Sequence, residues 1–150
     1  MLSQCKPWIF GITVCFFLEI SCDTNDRIIM HKNNLSNFIE IVLSQSHKAM
    51  KLNEIPVGSV IINPVTNKLV SKAHNCEISY NDPTAHAEIL CIRKACKKLN
   101  QKRLDGFELI TYLEPCNMCK EVIKSTRISK VYFLLKNDNP QRRTIPNTKY

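Results

Sequence analysis

One hundred and fifty residues, 17.3 kDa in all, suit one folded core, since two would leave each too few residues to bury. Hydrophobic residues at 44% and charged residues at 23% exclude a collagen, a low-complexity chain and a wholly disordered protein. Twenty-one Lys and Arg against 13 Asp and Glu give +8, a surplus that points to polyanions, nucleic acid ahead of acidic lipid.

The chain opens with an uncharged run, Trp8 to Leu18, after a lone Lys6 and before Glu19. It is too short for a bilayer that needs ~20 apolar residues, and no A-x-A-like cleavage site follows it. Residues 1–29 are therefore read as an apolar extension, either signal-like or translated from an over-called start ahead of Met30. Without them, 19 basic residues remain against 10 acidic, so the body of the chain carries the basic surplus.

From Asn34, taken as an N-cap, Leu35, Phe38, Ile39, Val42, Leu43, Ser46, Ala49 and Met50 recur at spacings of three and four and predict an amphipathic helix. Val57–Ile62 and Lys68–Ala73 flank a turn-forming N-P-V-T-N and read as an antiparallel hairpin. Asp82-Pro83-Thr84 has helix-start chemistry for a second helix, Ala85–Leu99, whose end carries Lys94, Lys97 and Lys98. Phe107–Leu113 is strand-like, Cys116–Ser125 is a third helix, and Ile128–Leu135 is read as a buried strand. Strands alternating with helices imply β-α-β crossovers and hence a three-layer α/β/α fold, its mixed sheet opening with the hairpin. One domain is assigned to residues 30–136 and a loose basic tail to 137–150.

Two of the eight cysteines, Cys116 and Cys119, form a C-x-x-C, and the others lack a disulfide-like cadence, so metal or redox chemistry in a reducing compartment fits better. Cys91 and Cys96 sit in an apolar helical run and read as small buried hydrophobes. At i and i+3 in a first helical turn, Cys116 and Cys119 can aim both sulfurs the same way, where free N–H groups favour thiolates. One imidazole from His86 completes Cys2His, a donor set suited to tetrahedral zinc with a fourth position left for water. Glu88 is then the candidate acid/base. Residues 86 and 88 do not share a helix face, so the metal has to lie off the helix end. H-x-E together with P-C-x-x-C is the pattern of zinc-dependent nucleobase deaminases.

EIPVG (54–58), NDPTAHAEIL (81–90), LEPCNMC (113–119) and TRISKVYF (126–133) resemble, in order and spacing, the bacterial tRNA-specific adenosine deaminases of the zinc-dependent cytidine/deoxycytidylate deaminase family. The resemblance covers about Met30 to Leu135. It implies a cytidine-deaminase-like fold, one Zn2+ per chain on His86, Cys116 and Cys119, and Glu88 as proton shuttle. It further implies that Asn75 touches the flipped base and that Ile55, Pro56, Val57 and Ala87 wall the pocket. The implied reaction is hydrolytic conversion of adenosine to inosine at the wobble position of a tRNA anticodon, by a cytoplasmic homodimer with no membrane partner. Relatives continue past the fourth strand into a further strand and a long helix; this sequence has fifteen residues after Leu135, so those two elements are expected to be missing.

Two other functions share parts of this pattern. A deaminase of free guanine, cytosine or their nucleosides carries the same H-A-E and P-C-x-M-C. A non-catalytic, zinc-stabilised RNA-binding subunit would share the metal but has no use for Glu88 beside an open coordination position.

Overall fold

The computed structural model describes residues 25–137. Its layout follows from one strand that is covered on both faces. In β1 (Gly58–Asn63) the first five residues are all buried, which demands a helical layer on either side of the sheet. Val60 and Ile62 point one way, against Phe38 and Val42 of α1 (Asn25–Lys51). Ile61 points the other way, into a cluster with Ile89, Ile92 and Ala95 of α2 (Ala87–Leu99) and Cys119 and Ile123 of α3 (Asn117–Ser125).

Besides β1, the sheet contains β2 (Lys68–His74), β3 (Glu108–Leu113) and β4 (Lys130–Leu135), in the order β2-β1-β3-β4. Both β2 and β3 run antiparallel to β1, while β4 is parallel to β3. It follows that β2 and β3 point in the same direction. The helices that succeed them, α2 and α3, therefore both start at one end of the sheet, and the loop entering β1 arrives at that same end. This is the end at which open α/β sheets bind their ligands.

The first hairpin forms as expected. Asn63 Oδ1 accepts the N–H groups of Val65 and Thr66 at 3.0 and 3.1 Å, and Asn67 takes the left-handed conformation that closes the turn. The register slips by one residue between Ile61 and Ile62, leaving Val70 as a bulge on β2.

Three local expectations are corrected. The first helix begins at Asn25, so Asn34 lies inside it and not at its start. Asp82 caps a turn instead of the helix: its Oδ1 takes the Thr84 N–H and hydroxyl at 2.8 and 2.7 Å, and the helix starts only at Ala87, with His86 as its N-cap. Finally, β4 is a flank strand and not a buried one. It pairs with β3 on one side, and Phe133 and Leu135 are exposed while Tyr132 and Leu134 pack on the α1 layer. The extension 1–24 and tail residues 138–150 lie outside the described residues, and among those described no helix is long and apolar enough to cross a membrane.

Gly58 is where β1 passes under α1. A Cβ there would stand 2.4 Å from the Val42 carbonyl oxygen, 2.6 Å from Gln45 Cβ and 2.7 Å from the Ser46 nitrogen. Helix backbone cannot yield as a flexible side-chain end can, so Gly58→Ala is expected to lose about 3 kcal/mol, the upper part of the overpacking range. Urea unfolding of the two proteins measures this; equal midpoints would mean that α1 shifts freely on the sheet.

Candidate metal centre

His86 and Cys116 occupy equivalent places. Each is the N-cap of the helix that follows it, with extended backbone angles (φ −68°, ψ 150° and φ −69°, ψ 169°), and each gives its carbonyl to the first intrahelical bond, Leu90 N–H to His86 and Lys120 N–H to Cys116, both at 2.9 Å. An N-cap side chain usually turns back to accept from the first turn. Neither of these does, so both are directed off their helix ends. Here lies the answer to the i, i+2 problem of His86 and Glu88: His86 is not on the helix, only at its threshold.

The three donor atoms converge. His86 Nδ1 lies 3.6 Å from Cys116 Sγ and 3.4 Å from Cys119 Sγ, and the ligand atoms of the trio all fall within 4.8 Å of one another. An ion with Zn–S of about 2.3 Å and Zn–N of about 2.0–2.1 Å sets tetrahedral N···S edges of roughly 3.6 Å. The observed separations fit that edge, and two thiols with one imidazole are the ligand softness zinc prefers. Among the described residues this is the one grouping of three or more metal-ligating side chains.

Electrostatics agree with the geometry. A hydrogen bond from Cys119, then one from His86, hold the Cys116 thiol down at about 3, outweighing its partial burial. Cys119 moves the opposite way, upward, because its proton is shared with Cys116 and because it is fully buried. The two sulfurs thus behave as a coupled pair that keeps one proton while no cation is present. Glu88, in the first turn of α2 and only 4% exposed, is pushed up by burial, against which a backbone N–H, then the nearby His86 ring and Cys119 act.

The residues expected to line a pocket lie at the same end of the sheet. Asn75 N–H donates to the Val57 carbonyl at 3.0 Å, and Cys76 N–H donates to Ala85 at 3.0 Å, which ties the entry to β1, the exit from β2 and the approach to His86 into one wall. Ile55 and Pro56 are exposed, whereas Val57, Asn75 and Ala87 are buried. Two acidic residues went unremarked in the sequence. Glu77 sets a carboxylate oxygen 3.7 Å from His86 Nε2, the ring nitrogen facing away from the sulfurs. Glu54, inside EIPVG, accepts from Asn75 Nδ2, the Ile78 N–H, and the Ser79 N–H and hydroxyl. Burial alone would raise its pKa, yet those bonds, Ser79 foremost, hold it below the ordinary carboxylate value. A glutamate two residues before a proline at a helix-to-strand junction was the sole clue to Glu54.

Sheet, crossovers and a Cys2His cluster at two helix starts together define a zinc-binding deaminase domain. The family model described as "Cytidine and deoxycytidylate deaminase zinc-binding region" matches residues 32–135, and the chain belongs to that family. Among curated relatives it is 44% identical over 96 residues to the tRNA-specific adenosine deaminase of Aquifex aeolicus, and 38% identical over 98 residues to that of Agrobacterium fabrum. Those matches take in 64% and 65% of this chain but 62% and 63% of the relatives' own lengths. A solved structure from a study of A-to-I editing by tRNA:A34 deaminases superposes with TM-score 0.66 at 36% identity, covering 68% of this chain and 72% of that one. A guanine deaminase from Bacillus subtilis superposes with TM-score 0.67 at 28% identity, covering 77% and 84%. The fold is thus the cytidine-deaminase-like one.

A thiolate at Cys116 has a direct chemical signature. In metal-free protein its alkylation by iodoacetamide is expected to stay nearly constant between about pH 5 and 8, whereas a thiol at the usual value of about 8.5 slows about tenfold per unit as pH falls. Zinc should block the reaction. Cys91, buried and pushed up to about 12, should stay unmodified. Peptide mapping of the alkylated protein across a pH series provides the measurement; an ordinary thiol slope at Cys116 would contradict the shared-proton description.

Proposed function

We propose that this protein is a zinc-dependent hydrolytic deaminase that converts adenosine to inosine at the wobble position of a tRNA anticodon. The observation that carries the reading is the buried Glu88 carboxyl set beside a Cys2His cluster whose edges fit tetrahedral zinc. Zinc held there supplies a water that ionises near neutral pH, at about 7 instead of ~15.7. In this reading His86, Cys116 and Cys119 hold the ion through Nδ1 and two sulfurs.

Glu88 moves the protons. It takes one from the water and delivers it to the purine ring as the C6–O bond forms, then takes the proton of the new C6 hydroxyl and passes it to the amino nitrogen as the C6 carbonyl forms, the C6–N bond breaks and ammonia leaves. Burial suits it to the work, since a carboxyl with a raised pKa can donate as well as accept near neutral pH. Asn75 would meet the base edge, with Ile55, Pro56, Val57 and Ala87 around it; the tie of Asn75 to Val57 and of Cys76 to Ala85 supports that grouping.

RNA is favoured over a free base by the tRNA-specific relatives and by the 19 basic against 10 acidic residues of the chain after position 29. The anticodon loop presents an unpaired base that can be splayed into a pocket, and basic residues would hold its flanking phosphates. Homodimeric assembly and a cytoplasmic setting belong to the same proposal. The guanine deaminase superposition favours a second reading, deamination of free guanine.

Two measurements separate the readings. The full chain is expected to make inosine in an anticodon stem-loop and to leave free adenosine, guanine and cytidine unchanged; ammonia from guanine alone would overturn the RNA assignment. Glu88→Gln should bind one zinc per chain while turnover drops by about 10²–10⁴-fold, the usual worth of general acid–base catalysis. Full activity in that variant would remove Glu88 from the mechanism.

A further inference from the structure

A neutral imidazole carries one N–H, so presenting the Nδ1 lone pair to a metal requires the proton on Nε2. That nitrogen needs something to face. In this chain it faces the carboxylate of Glu77, Oε2 of which stands 3.7 Å away, and neither side chain is strongly exposed (12% for His86 and 24% for Glu77). A negative charge there favours a proton on Nε2 and disfavours one on Nδ1, between the two sulfurs.

Glu77 lies on a loop with no regular secondary structure, so its position has to be fixed by other bonds. Its own carbonyl accepts from the Asp82 N–H at 3.1 Å. The residues on either side are held by one buried carboxylate, Glu54. Oε1 of Glu54 takes the Ser79 N–H and hydroxyl, both at 2.6 Å, and Oε2 takes the Ile78 N–H at 3.1 Å and the Asn75 amide at 3.2 Å. Four donors from three residues that bracket position 77 thus end on a side chain more than twenty residues earlier in the sequence.

We propose that Glu77 is the positioning residue that sets the metal-ligating tautomer of His86, and that Glu54 is the clamp that holds Glu77 in place. The inference rests on reading His86 as a zinc ligand and adds what orients it. Neither residue touches the reacting atoms; both act through the imidazole. Loss of such an outer partner typically weakens metal binding about 10–100-fold.

The test is zinc affinity of the full chain, measured by competition with a chromophoric chelator. Glu77→Ala is expected to bind zinc about 10–100-fold more weakly. Glu77→Gln should bind between Glu77→Ala and the unaltered protein, because its amide oxygen can accept from Nε2–H while the negative charge is lost. Rescue by glutamine distinguishes orientation of the ring from mere occupation of space. Glu54→Gln should weaken binding too, and the double variant Glu54→Gln/Glu77→Ala should bind no more weakly than Glu77→Ala alone, since both act through one group. If Glu54→Gln fails to fold, Ser79→Ala, which removes one of the four donors, replaces it with a smaller loss in the same direction. Nitrogen NMR of the zinc-loaded chain should find the His86 proton on Nε2. Glu77→Ala binding zinc within about twofold of the unaltered protein, or a proton found on Nδ1, would overturn the role of Glu77; additive losses in the double variant would overturn the clamp. An unaltered chain that binds no zinc would refute the metal centre itself, and inactivity toward RNA with these affinity ratios intact would refute the proposed substrate alone.

Discussion

The structure turns on the meeting of two helix starts. Because β2 and β3 share a direction, the chain leaving each strand turns into a helix at the same end of the sheet, and the residue at each turn is a metal-ligating one, His86 and Cys116. Cys119 comes with Cys116 through the helical repeat. Placing a soft donor at an N-cap has a cost. Ser, Thr, Asp or Asn would stabilise each helix by roughly 0.5–2 kcal/mol over a residue that leaves the first turn uncapped. The arrangement therefore gives up helix stability so that side chains can reach beyond the helix ends, and the core beneath compensates: Ile61, Leu109, Cys91 and Ala95 are fully buried against those same helices.

That geometry creates an electrostatic problem that shared protons or a cation must relieve. Two thiols, a buried carboxyl and an imidazole crowd into one place, and they cannot all ionise. With no cation the conflict resolves by proton sharing: Cys116 goes down, while Cys119 and Glu88 go up. A divalent ion held by His86, Cys116 and Cys119 would take the place of the shared proton and favour both thiolates together. Metal binding is thereby coupled to the protonation of the site and to the stability of the two helix starts that form it.

Local pattern accounted for most of this in advance. A 3.6-residue repeat located the first helix, helix-start chemistry and helix formers the other two, strand composition and a turn signal the four strands, and the i, i+3 spacing of Cys116 and Cys119 at a helix start already implied that both sulfurs aim together. The errors have a common physical source, which is that short-range signals compete. Asp82 has the chemistry of a helix cap, yet it is satisfied by Thr84 two residues on and so ends in a turn. Ile128–Leu135 has the composition of a buried strand, but burial depends on how many neighbours the strand has, and among the described residues β4 has a partner only on the β3 side. The first helix starts nine residues before Asn34, where its three- and four-residue apolar spacing was read to begin.

Glu54 and Glu77 were illegible for a different reason. Nothing in the segment around either residue demands an acid; the demand on Glu54 comes from a loop more than twenty residues on, brought near because β1 enters and β2 leaves at the same end of the sheet, and the demand on Glu77 comes from the His86 ring across a turn. This divides the site into two halves of different character. One half is built on helix starts and sheet, where periodicity fixes side-chain direction, and it carries the donor atoms. The other is loop, where no periodicity operates, and a buried carboxylate with four donors substitutes for the missing backbone ladder. A helix start can position an atom from within its own few residues. A loop has to borrow its rigidity from elsewhere in the chain, so its supports, unlike the ligands, can be recognised only once the fold has joined them.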